Sequence, residues 1–314
     1  MTNFAFMLKT YSKDIKYVTK LVESFNNFNV SGIVLYIVVP HSDIEFFSEF
    51  RSKTVEIIAE NTIPVAYFEQ PVAGISTGYL NQQIVKLAFW KLGLCENYLC
   101  LDSECVFIRN FSIDDFLTPL GLPYTVLIED RDRQCDPEYY NVHLEDRATS
   151  LLKIQEFLGF DKRLILQTCH GLQIFSRHIL NKMESELLLI NELTYMDLLV
   201  ISPYEFSWYN YFLQKTDVKI YPREPFFKSY HSPKDLVRDQ LLDVKVEDLA
   251  RGYLGLIINS NLSKDRETPL NYESSVLKVL LGRFVPLPTL LASFLLGLKR
   301  IPVIMGQRFF RKAC

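Results

Sequence analysis

The chain has 314 residues, 48% hydrophobic and 23% charged, the make-up of a globular protein long enough for one large α/β domain or two small ones. A net charge of −3 argues against a nucleic-acid binder, which needs a basic surplus. The six cysteines at 95, 100, 105, 135, 169 and 314 form no C-x-x-C pair and read as reduced core thiols of a cytosolic protein rather than a disulfide framework or a zinc site.

The N-terminus lacks the basic region and long apolar run of a signal peptide; residues 4–8 read instead as a first buried strand, ending in the polar cluster Lys9-Thr10-Tyr11-Ser12. Residues 14–28 carry apolar side chains at helical spacing (Ile15, Val18, Leu21, Val22, Phe25). Residues 33–39 are a β-branched run stopped by Pro40, as expected of a buried parallel strand. A helix over 44–50, a strand over 55–59 and an extended piece over 65–68 follow, and a loop at 74–78 leads into a strong helix over 79–92. Residues 98–108 and 124–128 read as further strands. This β-α-β-α order predicts a doubly wound open sheet with ligands bound beyond the carboxyl ends of its strands.

Asp102-Ser103-Glu104 closes the apolar run 98–101. On an extended backbone Asp102 and Glu104 point the same way and Ser103 the opposite way. Two carboxylates presented together repel unless a cation joins them, and hard ions such as Mg²⁺ or Mn²⁺ are the natural choice. A solvated turn accounts for the same spacing. In the 79–92 helix, Gln82, Gln83 and Lys86 lie within one turn of each other while Leu80, Ile84 and Leu87 form the apolar side, so Lys86 faces either a ligand or solvent. No G-x-G-x-x-G follows the first strand and no G-x-x-x-x-G-K-[ST] occurs, which removes the main support for a dinucleotide-binding or P-loop enzyme. The chain also lacks G-x-S-x-G and H-E-x-x-H.

Three pieces together resemble the GT-A glycosyltransferases: a strand ending in Lys9-Thr10, a helix opening Ser76-Thr77-Gly78-Tyr79-Leu80-Asn81-Gln82-Gln83-Ile84-Val85-Lys86-Leu87, and Tyr98-Leu99-Cys100-Leu101-Asp102-Ser103-Glu104-Cys105. The resemblance is to bacterial proteins of the DUF6492 type, whose pattern runs G-W-x-x-Q-Q-x-x-K-L and then L-D-x-D, and it covers roughly residues 1 to 235. Tyr79 stands in place of the tryptophan and Glu104 in place of the second aspartate. The resemblance implies a GT-A-like open mixed sheet flanked by helices, with a catalytic domain over 1–275 (donor half about 1–120, acceptor half about 121–275) and a tail over 276–314. It implies a nucleotide-sugar donor, for which Lys9, Thr10, Tyr11, Tyr79, Gln82, Gln83, Lys86 and Ser103 are the candidates; His170, ahead of a later apolar segment, suits either a contact to phosphate or acceptor or a core or capping role. It also implies Mn²⁺ or Mg²⁺ on Asp102 and Glu104, with His231 either a third ligand or a loop histidine in solvent.

For the acceptor, Glu129-Asp130-Arg131-Asp132 follows a strand, making Asp130 a catalytic candidate. Glu205 lies in the aromatic segment 203–211, where rings suit sugar stacking and partial burial would raise its basicity; the same rings equally suit a core helix. After Glu273 come seven basic residues and no acidic one, leaving 27 basic against 37 acidic residues in the rest of the chain. The nearly uncharged, proline-interrupted stretch 284–298 is short for a membrane span and suits either an interfacial segment on an anionic membrane or a helix packed on the core.

The expected activity is metal-dependent transfer of a sugar to a glycan or lipid-linked acceptor in surface polysaccharide biosynthesis. The expected location is cytoplasmic, the tail bringing the protein to the inner face of the plasma membrane. A nucleotidyltransferase or a non-catalytic sugar-binding protein are the alternatives.

Overall fold

The computed structural model describes residues 1–127, 137–161, 166–169, 171–230 and 233–258. Asp130, His170, His231, Cys135 and the 276–314 tail with Cys314 lie outside the described residues.

The central sheet has five strands in the order β3-β2-β1-β4-β7, formed by β1 (Thr2–Lys9), β2 (Val34–Val39), β3 (Val55–Ala59), β4 (Cys95–Leu101) and β7 (Ile174–Ser176). The first four are parallel and β7 joins β4 antiparallel, so this is the expected open mixed sheet flanked by helices. Phe4 to Lys9 are all buried, as a central parallel strand covered on both faces requires. Helix α1 (Ile15–Phe28) links β1 to β2, a short α2 (Ile44–Phe47) links β2 to β3, and α3 (Thr77–Ala88) brings the chain back across β1 to β4. Right-handed crossovers run in these two opposite directions place α1 and α3 on opposite faces. The reversal makes the crevice between the carboxyl ends of β1 and β4 the topological switch point, where ligands bind in open α/β sheets.

Helix α3 starts where Ser76 caps it, accepting a hydrogen bond from the Tyr79 amide, and ends in a 3₁₀ turn (Phe89–Leu92) that Gly93 terminates in the left-handed region at φ 66°. The expected helix over 79–92 is therefore present. Residues 65–68 form no strand; the Asn81 amide of α3 ties that loop down through the Phe68 N–H and C=O, at 2.8 and 3.0 Å.

The expected strand over 98–108 is two strands. The chain leaves the central sheet at Leu101 and turns through Asp102-Ser103-Glu104, the Cys105 N–H bonding the Asp102 carbonyl at 3.1 Å. It then enters a second sheet as β5 (Cys105–Phe107). Apolar residues run through both strands, so hydrophobic pattern alone does not mark the break. The second sheet has the order β5-β10-β9, with β9 (Phe227–Tyr230) and β10 (Gly255–Ile258). A two-stranded ribbon pairs β6 (Tyr124–Val126) with β8 (Tyr221–Arg223).

The second half is mainly helical, with α4 (Pro137–Phe157), α5 (Arg177–Met183), α6 (Tyr195–Ile201), α7 (Glu205–Gln214), α8 (Pro233–Leu241) and α9 (Val246–Leu249). Helix α7 packs against both α3 and α4. Cys95, Cys100, Cys105 and Cys169 are buried, as expected of core residues. Among the described residues, no helix is long and apolar enough to cross a membrane.

Candidate active site

Helical geometry puts Tyr79, Gln82, Gln83 and Lys86 on one stripe of α3, three or four residues apart. All four line a cavity of about 170 Å³, whose other walls are Asp102 after β4, Arg147 on α4, Cys169, and Tyr204 to Ser207 at the start of α7. Six sequence candidates thus meet in one place: Tyr79, Gln82, Gln83, Lys86, Asp102 and Glu205.

Lys86 is the hub. Its ammonium donates to Glu205 Oε1 at 2.9 Å and lies 3.7 Å from Asp102 Oδ1 and 4.8 Å from the centre of the Phe206 ring. Burial alone would pull an ammonium below its ordinary pKa, but the Glu205 and Asp102 carboxylates overcome it and hold Lys86 above the usual lysine range. Lys86 is 4% exposed and Glu205 4%, so each neutralises a charge that would otherwise be stranded in the interior. Glu205 opens α7, where the helix N-terminus also favours a carboxylate. Lys86 thus faces the cavity rather than open solvent, but its charge is already engaged by two carboxylates.

The aromatic segment around Glu205 divides. Trp208, Tyr209 and Tyr211 are fully buried core residues, unable to stack on a sugar, whereas Tyr204 lines the cavity. Tyr79 supplies a second ring: the residue is 41% exposed, and its pKa is raised by burial of the hydroxyl and then by Glu205, which keeps the phenol protonated as a donor.

Arg147 is the cavity residue that the sequence reading missed. It is 4% exposed, donates to the Cys169 carbonyl at 3.1 Å and stacks its guanidinium over Tyr204, 4.9 Å from the ring centre. The signal was present, because Arg147 shares a helical stripe with Leu151, Ile154 and Leu158, and a charge on an apolar stripe needs an explanation.

Gln83 differs from the paired Lys86, Glu205 and Arg147 of the same cavity. The residue is 3% exposed, yet its side-chain oxygen is buried without a hydrogen-bond partner.

The remaining described candidates sit beside the cavity, at the switch-point crevice. Thr10 Oγ1 and Ser103 Oγ hydrogen-bond at 2.9 Å, joining the ends of β1 and β4 directly. The Lys9 ammonium pairs with Glu60 Oε2 at 2.9 Å and donates to the Thr10 carbonyl at 3.0 Å, while Tyr11 is exposed. Ser12 is held from the β2 side, its N–H donating to Asp43 Oδ2 at 2.7 Å.

The turn corrects one sequence argument. Asp102, Ser103 and Glu104 are not on extended backbone, so alternation does not set where the two carboxylates point; Ser103 is fixed by Thr10 and Asp102 reaches Lys86. Asp102 and Glu104 supply the hard oxygen donors that Mg²⁺ or Mn²⁺ prefers. Among the described residues, no three His, Cys, Asp or Glu side chains gather into a metal-binding group.

The family of unknown function DUF6492 matches residues 5–247, and the chain belongs to that family. No curated protein matches it in sequence. Among solved structures, the apo crystal structure of mouse xyloside xylosyltransferase 1 is similar at a TM-score of 0.43 and 9% identity, over 83% of this chain and 99% of that one. An overlap that loose carries no residue role from one protein to the other.

Proposed function

We propose that this DUF6492 protein is a glycosyltransferase that moves a sugar from a nucleotide-sugar donor to a glycan or lipid-linked acceptor. The observation that carries the reading is the cavity beside the β1/β4 switch point, walled by two tyrosines, two glutamines, two carboxylates and two cations. Rings, amides and carboxylates together are the chemistry that binds a polyhydroxylated ring, and the switch-point crevice is where open α/β sheets take nucleotides. The motifs shared with GT-A glycosyltransferases lie on these same elements, α3 and the β4 turn.

In this reading the nucleotide lies over the end of β1, near Lys9, Thr10 and Tyr11, and the sugar enters the cavity. A divalent ion held by Asp102 and Glu104 would neutralise charge on the leaving diphosphate. The acceptor oxygen bonds to the anomeric carbon as the bond from that carbon to the diphosphate oxygen breaks, its electron pair leaving with the diphosphate. Glu205, held in one orientation by Lys86, takes the acceptor's proton if the enzyme inverts.

Thermal denaturation with nucleoside diphosphates and nucleotide sugars, with and without Mn²⁺, tests this, because a ligand bound only by the folded state raises the melting temperature. A Mn²⁺-dependent rise that disappears in Asp102→Asn, with that variant folded, is expected. Undiminished nucleotide binding by Asp102→Asn removes the metal assignment, and no response to any nucleotide removes the transferase reading.

A further inference from the structure

Among the described residues the Gln83 side-chain oxygen has no hydrogen-bond partner, although the charged side chains beside it in the cavity are engaged. Lys86 bonds Glu205 and approaches Asp102, and Arg147 bonds the Cys169 carbonyl. Gln83 is 3% exposed, lines the cavity, and leaves its Oε1 buried without a partner. A buried amide oxygen in that state is destabilised relative to one that is hydrogen-bonded. The neighbouring side chains leave it no internal remedy. Lys86 and Asp102 are occupied with each other and Glu205, and the Asn81 amide one turn back is spent on the Phe68 backbone.

We propose that Gln83 reads a hydroxyl group of the transferred sugar and so helps set which donor the enzyme accepts. This rests on the glycosyltransferase reading and sharpens it to a single contact. The chemistry of an amide narrows the partner. An amide oxygen needs a donor and an amide nitrogen needs an acceptor; a hydroxyl supplies both and answers the side chain whichever way round it stands. A phosphate oxygen accepts only, and answers one orientation. The position agrees, since Gln83 sits on the α3 stripe between Tyr79 and Lys86, next to the carboxylates assigned to the diphosphate end and the acceptor end. A site built to hydrogen-bond a hydroxyl rejects analogues lacking it far more strongly than an apolar pocket can, because the buried polar group is then left unpaired.

The test compares nucleoside diphosphates with their sugar conjugates. UDP and GDP are titrated with Mn²⁺ into the full-length wild type and Gln83→Met, alongside UDP-glucose, UDP-galactose, UDP-N-acetylglucosamine and GDP-mannose. Methionine matches glutamine in length and removes both polar atoms; Gln83→Leu serves if the Met variant melts early. The wild type should bind one conjugate more tightly than its parent diphosphate. Gln83→Met should bind that conjugate about tenfold more weakly while binding the diphosphate as the wild type does. If the variant loses the diphosphate equally, Gln83 serves the phosphate end and the proposal is overturned. If conjugate binding is unchanged, solvent satisfies the amide and the proposal is also overturned, the transferase reading standing. If the wild type binds no nucleotide, both fall together.

Discussion

Two buried glutamines make the difference between scaffold and site plain. Gln173, fully buried ahead of β7, uses every hydrogen-bonding position it has. Its Nε2 donates to the Val126 carbonyl at 3.1 Å and to Asn210 Oδ1 at 2.7 Å, and its Oε1 accepts from the amides of Val126 at 3.2 Å and Ile174 at 2.9 Å. Asn210 passes the network to Thr168 at 3.2 Å, and Thr168 to Ser207 at 3.1 Å. Gln83 is nearly as buried and its oxygen bonds nothing. Polar groups satisfied inside the protein specify a fold. One left unsatisfied on a cavity wall awaits something from outside, and its cost is borne in the absence of ligand.

The comparison predicts opposite stability effects for the same substitution. Gln173→Met strands the Val126 and Ile174 amides and should lose about 3–5 kcal/mol in urea unfolding, since several buried groups lose partners at once. Gln83→Met removes an unsatisfied oxygen and should leave stability unchanged or slightly higher. Equal losses at the two positions would mean that the Gln83 amide has a structural partner, and the contrast would collapse.

The next effect sharpens what Lys86 does. Lys86→Met leaves Glu205 buried without its cation and should lose about 3 kcal/mol, within the range for breaking a buried pair from one side. The double variant Lys86→Met/Glu205→Leu should regain most of that loss, because removing both charges ends the desolvation problem. A double variant as unstable as the single one would show that Lys86 acts through packing on Phe206 rather than through charge.

These contrasts bear on what could be read from residue order. The α3 stripe was legible because Tyr79, Gln82, Gln83 and Lys86 follow helical spacing, and Asp102 because it ends an apolar run. Lys86 was ambiguous for a physical reason: one helix face meets either solvent or another element, and the Glu205 that decides it lies 119 residues away. Arg147 escaped for the same cause, as its neighbours Tyr204 and Cys169 come from separate segments. The rings around Glu205 suggested a sugar platform because spacing does not say which side of α7 meets the core; packing against α3 and α4 buries Trp208, Tyr209 and Tyr211. The strand over 98–108 hid its break because both sheets require apolar residues, and only the polar tripeptide marked the turn.

The smallest effect lies at the crevice, where the contact between Ser12 and Asp43 is only part-buried. Burial pushes the Asp43 carboxyl upward, but hydrogen bonds from the Ser12 amide and from the Ser12 and Ser42 hydroxyls outweigh it, with Lys9 adding attraction, and hold its pKa below the ordinary value. The folded state therefore binds fewer protons than the unfolded state as pH falls through that range. The stabilisation is complete above the unfolded value of about 3.9 and is lost as pH drops through the lower folded value. Asp43→Asn should thus be about 1 kcal/mol less stable than wild type at pH 6, with the gap closing as pH falls below about 4. Urea unfolding of both proteins from pH 6 to pH 2.5 measures it. A gap that persists undiminished at the lowest pH would show that Asp43 acts through shape rather than charge. The loop from Tyr11 to Ser12 would then need another anchor to hold it beside the end of β1.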